Sequence, residues 1–201
     1  MILLVDHQDS FTRNLEHLLA RFDEVIVCDR LQVDSSLIER CNLVVLSPGP
    51  GKPQDYPETR ALYFQCLGNK PILGICLGFQ LMLEAEGAKI IRQAQVLHGV
   101  DTEIEVNPES ATYQGLPRNL KVARYHSLQV DPRSLDNLSP TLKVTAHDPI
   151  RKVPLSFEDN SRALFGLQFH PESFLTQKGH RLIENIRCAC LDDIGESRRT
   201  S

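Results

Sequence analysis

The sequence predicts an α/β fold: a mostly parallel, doubly wound sheet flanked by helices, with a smaller antiparallel region in its second half. In residues 1–90, short runs that are apolar throughout alternate with segments whose apolar residues recur at helical spacing. Continuous apolar runs suit strands that are covered on both faces, as parallel strands are. In the second half, strand-like runs follow one another with few helices between them, which favours antiparallel pairing.

The predicted elements of the first half alternate strand and helix with short connections. The predicted strands are residues 2–5, 24–28, 43–46 and 72–75. The predicted helices are residues 11–22, 35–40, 59–67 and 77–86, the first of which Asp9 or Ser10 can cap. In a sheet of this kind, ligands bind at the carboxyl ends of the strands, so we look there for functional residues.

The second half is expected to add strands and to end in one helix. The predicted strands are residues 89–92, 102–106, 122–125, 142–146, 153–157 and 163–169, and the closing helix is 177–189. Some of these strands should extend the main sheet, and others should form a small separate ribbon. Residues 1–191 are therefore expected to form a single domain, and the polar residues 192–201 a frayed C-terminal tail.

The composition excludes several classes of protein. The chain has 201 residues, 41% of them hydrophobic, which is enough for the core of one domain. A net charge of −4 argues against nucleic acid or an acidic membrane as a partner. No run approaches the ~18 apolar residues of a membrane span, and the N-terminus is typical of a core strand rather than a signal peptide.

The cysteines and scattered histidines do not indicate a metal site. Six cysteines occur without a C-x-x-C pair, which favours reduced thiols and a cytoplasmic location. Four histidines lack the spacing of metal ligands and are expected in surface or capping roles: His7, His17, His147 and His180.

Cys76 lies between Gly74 and Gly78, at the joint of a predicted strand and a predicted helix. This joint is similar to a nucleophile elbow, a strained turn that lifts one side chain above the sheet edge. The two glycines would leave room for the turn and tolerate its backbone angles. The N-terminus of the following helix would favour a thiolate and later an oxyanion. The alternative is a buried structural cysteine, a common role of free cysteines.

His170, Pro171 and Glu172 follow the last predicted strand. Residues i and i+2 of an extended chain project to the same side, and Pro171 keeps the chain extended. Glu172 is therefore expected beside the imidazole of His170, as the carboxylate that orients a catalytic base. Taken alone, the tripeptide is more typical of a solvated turn, but a cysteine elbow in the same sheet reverses this and favours a triad with Cys76. His126 is a second candidate base, ranked lower because no carboxylate adjoins it.

The loop after residues 43–46 contains Gly49, Pro50 and Gly51. It is a candidate oxyanion hole, for which Gly51 and Leu77 can supply N–H donors and Pro50 cannot. The alternative is a phosphate-binding loop, which the absence of G-K-[ST] and G-x-G-x-x-G disfavours. We therefore expect no nucleotide and no other cofactor.

Six stretches of the chain together resemble the class I (triad) glutamine amidotransferases, and they occur in the family's order over nearly the whole length. They are Asp9-Ser10-Phe11-Thr12 with Asn14-Leu15, Leu46-Ser47-Pro48-Gly49-Pro50-Gly51, Gly74-Ile75-Cys76-Leu77-Gly78 with Gln80, His98-Gly99, Arg124-Tyr125-His126-Ser127-Leu128, and residues 166–173. The first and fifth are most similar to the branch formed by the small subunits of anthranilate synthase and aminodeoxychorismate synthase. The fold implied by the resemblance is flavodoxin-like.

The resemblance implies a glutaminase. Cys76 would attack the side-chain amide of glutamine, and His170, oriented by Glu172, would protonate the leaving ammonia and later activate water. The implied residues of the glutamine pocket are Gly49, Pro50, Gly51, Leu77, Gln80, Ser127 and Leu128. The products would be glutamate and ammonia, formed through a γ-glutamyl thioester. The implied partner is a larger chorismate-binding synthase subunit that receives the ammonia within a hetero-oligomer, on the route to tryptophan or to folate.

Two positions depart from the family pattern: Phe79, where many relatives have histidine, and Val100, where a lysine is usual. Phe79 is expected to alter the pocket walls or the packing behind the elbow, and Val100 to remove a positive charge from a loop facing the partner.

Two other functions stay open on the same fold. One is a stand-alone cysteine hydrolase of γ-glutamyl or peptide substrates, against which Gln80 argues because it suits a free amino acid. The other is a non-catalytic regulatory subunit, which the intact triad disfavours.

Overall fold

The computed structural model describes residues 1–93 and 99–197. The strands are β1 Ile2–Asp6, β2 Val25–Asp29, β3 Leu43–Leu46, β4 Ile72–Ile75, β5 Ile90–Arg92, β6 Val100–Val106, β7 Asn119–Arg124, β8 Leu128–Val130, β9 Lys143–His147, β10 Pro154–Asp159 and β11 Leu164–Leu167. The helices are α1 Thr12–Leu19, α2 Ser35–Arg40, α3 Pro57–Cys66, α4 Leu77–Ala85 and α5 Gly179–Ser197. Within the described ranges, none of the helices combines the length and the apolar character that crossing a membrane requires.

The main sheet joins a parallel half to an antiparallel half. Its strand order in the described chain is β2-β1-β3-β4-β11-β10-β9-β6-β7. The pairs from β2 to β11 are parallel and those from β11 to β7 are antiparallel. A second, antiparallel sheet contains β5 and β8. The predicted fold class is therefore confirmed. The carboxyl ends of β1, β3, β4 and β11 meet at one edge of the sheet, which is where ligands bind in such folds.

The two faces of the parallel half carry separate apolar cores. Successive side chains of β1 alternate between them: Leu4 packs in one core and Leu3 in the other. The first core includes the apolar faces of α1 and α5, and the second includes those of α2, α3 and α4. Both faces are therefore covered, which explains why these strands are apolar throughout.

The bounds of several elements differ from the prediction. α1 starts at Thr12 and ends at Leu19, because the N–H groups of Arg21 and Phe22 bind carbonyls three residues back and close the last turn tightly. The carboxylate of Asp9 accepts the N–H of Phe11 at 2.8 Å, but no side chain caps α1. β8 was not predicted, since three residues show no periodicity.

The end of the chain also differs. β11 ends at Leu167 rather than at residue 169, because the chain then turns toward β7, where the N–H of His170 donates to the carbonyl of Ala123 at 3.0 Å. α5 extends to Ser197, beyond the predicted residue 189, and so includes part of the expected tail. The sequence from 190 to 197 has no proline and a single glycine, so nothing in it stops a helix early.

Candidate active site

Cys76 occupies a strained turn between β4 and α4. Its backbone angles are φ 52° and ψ −96°, and its side chain projects at the carboxyl edge of the sheet. A non-glycine residue at positive φ costs roughly 1–3 kcal/mol and persists only where the surrounding structure enforces it. The N–H of Cys76 donates to the carbonyl of Leu167 at 2.8 Å, which fixes the turn to β11. The predicted elbow is present in the structure.

Gly74 and Gly78 permit this turn by close packing. A Cβ on Gly74 would lie 2.5 Å from the carbonyl carbon of Gly78 and 2.7 Å from Sδ of Met82. A Cβ on Gly78 would collide with the backbone oxygen of Leu46. Neither glycine has a positive φ, so the prediction that they supply unusual backbone angles is wrong. The strained angles belong to Cys76 itself.

His170 and Glu172 form a buried pair. Nδ1 of His170 lies 2.7 Å from Oε1 of Glu172, and the two side chains are 2% and 0% exposed. Nε2 of His170 is buried and has no hydrogen-bond partner of good geometry among the described residues, so it is the ring nitrogen left for the thiol or for a substrate. Burial lowers the pKa of His170, but interactions with Cys76 and Glu172 outweigh it and raise the pKa to about 10.

Aromatic rings and backbone bonds hold His170 in place. Its ring centroid lies 5.1 Å from that of Phe11 and 5.0 Å from that of Tyr125. Its carbonyl accepts the hydroxyl of Thr176 at 2.5 Å. The first residue of α5, Gly179, lies against the carbonyl of Pro171 so closely that no Cβ would fit there. These contacts leave the imidazole little freedom to rotate.

A cavity of about 160 Å³ opens beside Cys76. It is lined by Gly49, Pro50, Gly51, Cys76, Leu77, Gln80, Tyr125, His126, Ser127 and Leu128. All seven residues predicted for the glutamine pocket are therefore brought together with the cysteine. Tyr125 and His126 also line the cavity and were not predicted to do so. They immediately precede the predicted Ser127 and Leu128, and this adjacency in the sequence could have indicated that they line the cavity too.

The buried side chain of His7 packs against the loop that contains Gly49, Pro50 and Gly51. The side chain is 1% exposed, with Nδ1 3.0 Å from the hydroxyl of Ser47 and Nε2 3.0 Å from that of Thr59. Gly49 packs so closely on it that an added Cβ would lie 2.7 Å from Cβ of His7. Burial, and then the charge of Arg30, lowers the pKa of His7 to about 4. The predicted surface or capping role of His7 is therefore wrong.

His126 is bonded through both ring nitrogens and is unsuited to act as a base. Nδ1 lies 2.7 Å from the carbonyl of Leu128, which can only accept, and Nε2 accepts from Nε of Arg124 at 3.1 Å. Burial, and then the charge of Arg124, lowers its pKa to about 3. Arg124 pairs in turn with Asp148 at 2.9 Å. This neutral histidine fixes the backbone of the Ser127–Leu128 loop.

Gln80 and Gln168 form a second polar layer beside the cysteine. Nε2 of Gln80 donates to Oε1 of Gln168 at 2.9 Å and to the carbonyl of Leu128 at 3.2 Å. Gln168, which the prediction missed, is fully buried, and its Nε2 lies 3.7 Å from Sγ of Cys76. A polar residue inside an otherwise apolar strand segment, two residues before His170, was the signal that could have found it.

Phe79 lies away from the cavity. It is fully buried, and its ring centroid is 5.7 Å from that of Phe157 in the core beside α4. Phe79 does not line the cavity, so the expected change of a pocket wall is wrong. The expected change of packing behind the elbow stays a prediction. His98 lies outside the described residues, and so does the side chain of Val100, although its backbone begins β6.

Comparison with known proteins gives matches over nearly the whole chain. The family model "Glutamine amidotransferase class-I" matches residues 3–189. The chain is 35% identical to anthranilate synthase component 2 of Lactococcus lactis, over 100% of this chain and 98% of that one. It is 38% identical to aminodeoxychorismate synthase component 2 of Escherichia coli, over 92% and 98%.

Among solved structures, a protein of Thermoplasma acidophilum that is described as a GMP synthase subunit superposes with a TM-score of 0.84. The likeness covers 98% of this chain and 96% of that one, at 23% identity, and so shows a shared fold. The family match spans both the elbow at Cys76 and the pair formed by His170 and Glu172. The chain belongs to the class I glutamine amidotransferase family.

Proposed function

We propose that this protein is the glutaminase subunit of a chorismate-using synthase, which makes anthranilate or 4-amino-4-deoxychorismate in the cytoplasm. The observation that carries the proposal is the placement of Cys76. It projects from a strained elbow into a cavity that would hold a free amino acid, beside a buried His170–Glu172 pair. A reduced compartment is part of the proposal, because only a free thiol can act as the nucleophile.

In the first half of the reaction, Sγ of Cys76 attacks the side-chain carbonyl carbon of glutamine. The carbonyl oxygen becomes an oxyanion, for which the N–H groups of Gly51 and Leu77 are the proposed donors, worth about 3–4 kcal/mol each. Imidazolium of His170 gives its proton to the amide nitrogen, the C–N bond breaks, and ammonia leaves. A γ-glutamyl thioester stays on Cys76.

In the second half, His170 is neutral and accepts a proton from water. The hydroxide formed attacks the thioester carbon and the C–S bond breaks, which restores the thiolate. The γ-carboxylic acid that forms leaves the site and gives its proton to water, so the product is glutamate. Imidazolium is restored in the same step, so protons balance over the cycle. Glu172 stays ionised throughout and holds Nδ1 of His170 as a donor, which presents Nε2 to the reacting atoms.

The product explains the partner. Ammonia that escapes into neutral water becomes mostly ammonium, which has no lone pair for attack, so it must pass directly to an acceptor enzyme. Both of the relatives named above are called component 2 of a synthase, which supports a second component here. We propose that a larger chorismate-binding subunit covers the cavity and receives the ammonia.

The proposal is tested by reconstitution. The purified chain is mixed separately with the large component of an anthranilate synthase and of an aminodeoxychorismate synthase, and glutamate release and the aromatic product are measured. We expect glutamine-dependent product with one or both, and a loss of roughly 10⁴-fold or more in Cys76→Ala. Full glutamate release by Cys76→Ala would overturn the mechanism. Glutamate release without either aromatic product would overturn the assignment of the partner.

A further inference from the structure

Gln168 contacts the nucleophile and a pocket residue at the same time. Its Nε2 lies 3.5 Å from the carbonyl oxygen and 3.7 Å from Sγ of Cys76, and its Oε1 accepts from Gln80 at 2.9 Å. The side chain is fully buried. A buried amide that made no hydrogen bonds would cost several kcal/mol, roughly 1–3 by mutational data, so these contacts determine its orientation.

Two backbone carbonyls fix the orientation of both amides. A carbonyl oxygen can only accept, so the NH₂ group of Gln168 must face Cys76 and the NH₂ group of Gln80 must face Leu128. Oε1 of Gln168 is then left to accept from Gln80. Reversing either amide would place oxygen against oxygen. Gln80 therefore uses its NH₂ group inside the network, and its carbonyl oxygen is the group left for the cavity that it lines.

We propose that Gln168 is a positioning residue that holds the sulfur of Cys76 and turns the carbonyl oxygen of Gln80 toward the substrate's α-ammonium group. An N–H donor aimed at the sulfur favours the thiolate over the thiol. An oxygen aimed at the cavity selects substrates that carry a cationic donor at the α-carbon. The second effect rests on the proposed glutaminase function, whereas the first concerns the thiol alone.

Two substitutions separate the contact of Gln168 with Cys76 from its hydrogen bond with Gln80. In Gln168→Met the new side chain is similar in size and makes neither of them. Gln168→Glu keeps an oxygen that accepts from Gln80, but it places a second oxygen against the carbonyl and sulfur of Cys76. Gln32→Met is the matched control, because Gln32 is exposed and lies far along the chain from the site. Urea unfolding of each variant shows whether the fold is intact, and Gln168→Glu carries the test if Gln168→Met does not fold.

The effect of Gln168 on the thiol of Cys76 is tested without glutamine. The rate at which iodoacetamide alkylates Cys76 is followed from pH 5 to 9 on the isolated chain, by mass spectrometry of the peptide that contains it. We expect about a tenfold lower rate at pH 7 in both Gln168 variants and a midpoint moved to higher pH, with no change in Gln32→Met. A folded Gln168 variant with the wild-type pH profile would overturn this half, because a purely structural role does not move the midpoint.

The orientation of Gln80 is tested by glutamine kinetics with the synthase partner. We expect KM to rise about tenfold in Gln168→Met and to stay within about threefold in Gln168→Glu, whose loss is in kcat. Because Gln168 acts through Gln80, adding Gln168→Met to Gln80→Met should raise KM no further. Multiplicative effects in the double variant would overturn this half. If the wild-type chain releases no glutamate, the proposed function fails, while alkylation still decides the role of Gln168 at the sulfur.

Discussion

Arg162 holds the carboxylate of Glu86 through two parallel hydrogen bonds, Nη1 to Oε1 at 3.0 Å and Nη2 to Oε2 at 2.9 Å. Nε of the same arginine lies 2.7 Å from Oδ2 of Asp159. Glu86 follows the last residue of α4, and Arg162 lies just before β11. The ion pair therefore joins the helix that starts beside Cys76 to the strand that leads toward His170. This contact lies at the edge of the sheet opposite to Cys76 and His170.

Replacing Arg162 by methionine should destabilise the fold by roughly 3 kcal/mol. It leaves the carboxylates of Glu86 and Asp159, whose side chains are 10% and 0% exposed, without their cation. The measurement is the free energy of unfolding in urea. Arg13→Met is the control: Arg13 is 75% exposed and also pairs with a glutamate, so less than about 1 kcal/mol should be lost. Equal losses in the two variants would show that burial of the pair has no special effect.

Replacing Glu172 by glutamine should lower the pKa of His170 from about 10. Burial alone lowers that pKa, and the charge of Glu172 is one of the interactions that raise it. His170 is protonated below its pKa, so the variant should lose imidazolium at a lower pH than the wild type does. Glutamate release should fall about 10²–10⁴-fold, because the leaving ammonia is no longer protonated efficiently.

The pKa is measured from the pH dependence of the His170 ring signals in NMR spectra. Glu184→Gln is the control, since Glu184 is a half-exposed partner of Arg181 on α5. It should leave the titration unchanged. A Glu172→Gln protein whose His170 titrates as in the wild type would show that the carboxylate does not set the protonation state.

The parts of the site that are local in sequence could be predicted, and the parts that depend on the sheet order could not. The elbow at Cys76 and the pair formed by His170 and Glu172 each lie within one short segment, where backbone geometry determines what meets. The contact between Gln168 and Cys76 joins residues 92 positions apart and exists because β11 pairs with β4. No periodicity in the sequence indicates which strands are neighbours.

His7 illustrates the same limit. Its position after an apolar strand is visible in the sequence, but its burial depends on Ser47 and Thr59, which arrive from other segments. The spacing of histidines in a sequence indicates only whether they could bind a metal. It does not indicate that a buried, neutral histidine supports a loop. The roles of the pocket residues remain predictions, although the structure places all of them around one cavity.

Replacing His7 by glutamine should flatten the loss of stability in acid. Burial lowers the pKa of His7 to about 4, against 6.5 in the unfolded chain, so below pH 6.5 the unfolded state binds a proton that the folded state excludes. The contribution of neutral His7 to the free energy of unfolding is thus fully present above pH 6.5. It is lost as the pH falls toward 4, at about 1.4 kcal/mol per pH unit. His126, with a pKa of about 3, adds to the same loss.

The measurement is urea unfolding at pH 7.5 and 4.5. Between these values the wild type should lose on the order of 2–3 kcal/mol more than His7→Gln does. His17→Gln is the control, because His17 is exposed, and it should follow the wild type. An identical acid dependence in all three proteins would show that His7 is protonated normally in the folded state.

Because the backbone at position 76 is strained, glycine should be more stable than alanine there, which is the reverse of their order inside a helix. Inside a helix, alanine is more stable than glycine by roughly 1 kcal/mol, and the exposed Ala61 in the interior of α3 provides that reference as Ala61→Gly. At position 76, where φ is 52° and ψ is −96°, a Cβ is unfavourable and glycine is not. Cys76→Gly should therefore unfold at a higher urea concentration than Cys76→Ala, by about 1 kcal/mol in free energy, although both lack the nucleophile. If alanine is preferred at both positions, the elbow stores no strain, and the side chain of Cys76 is held in place by its hydrogen bonds alone.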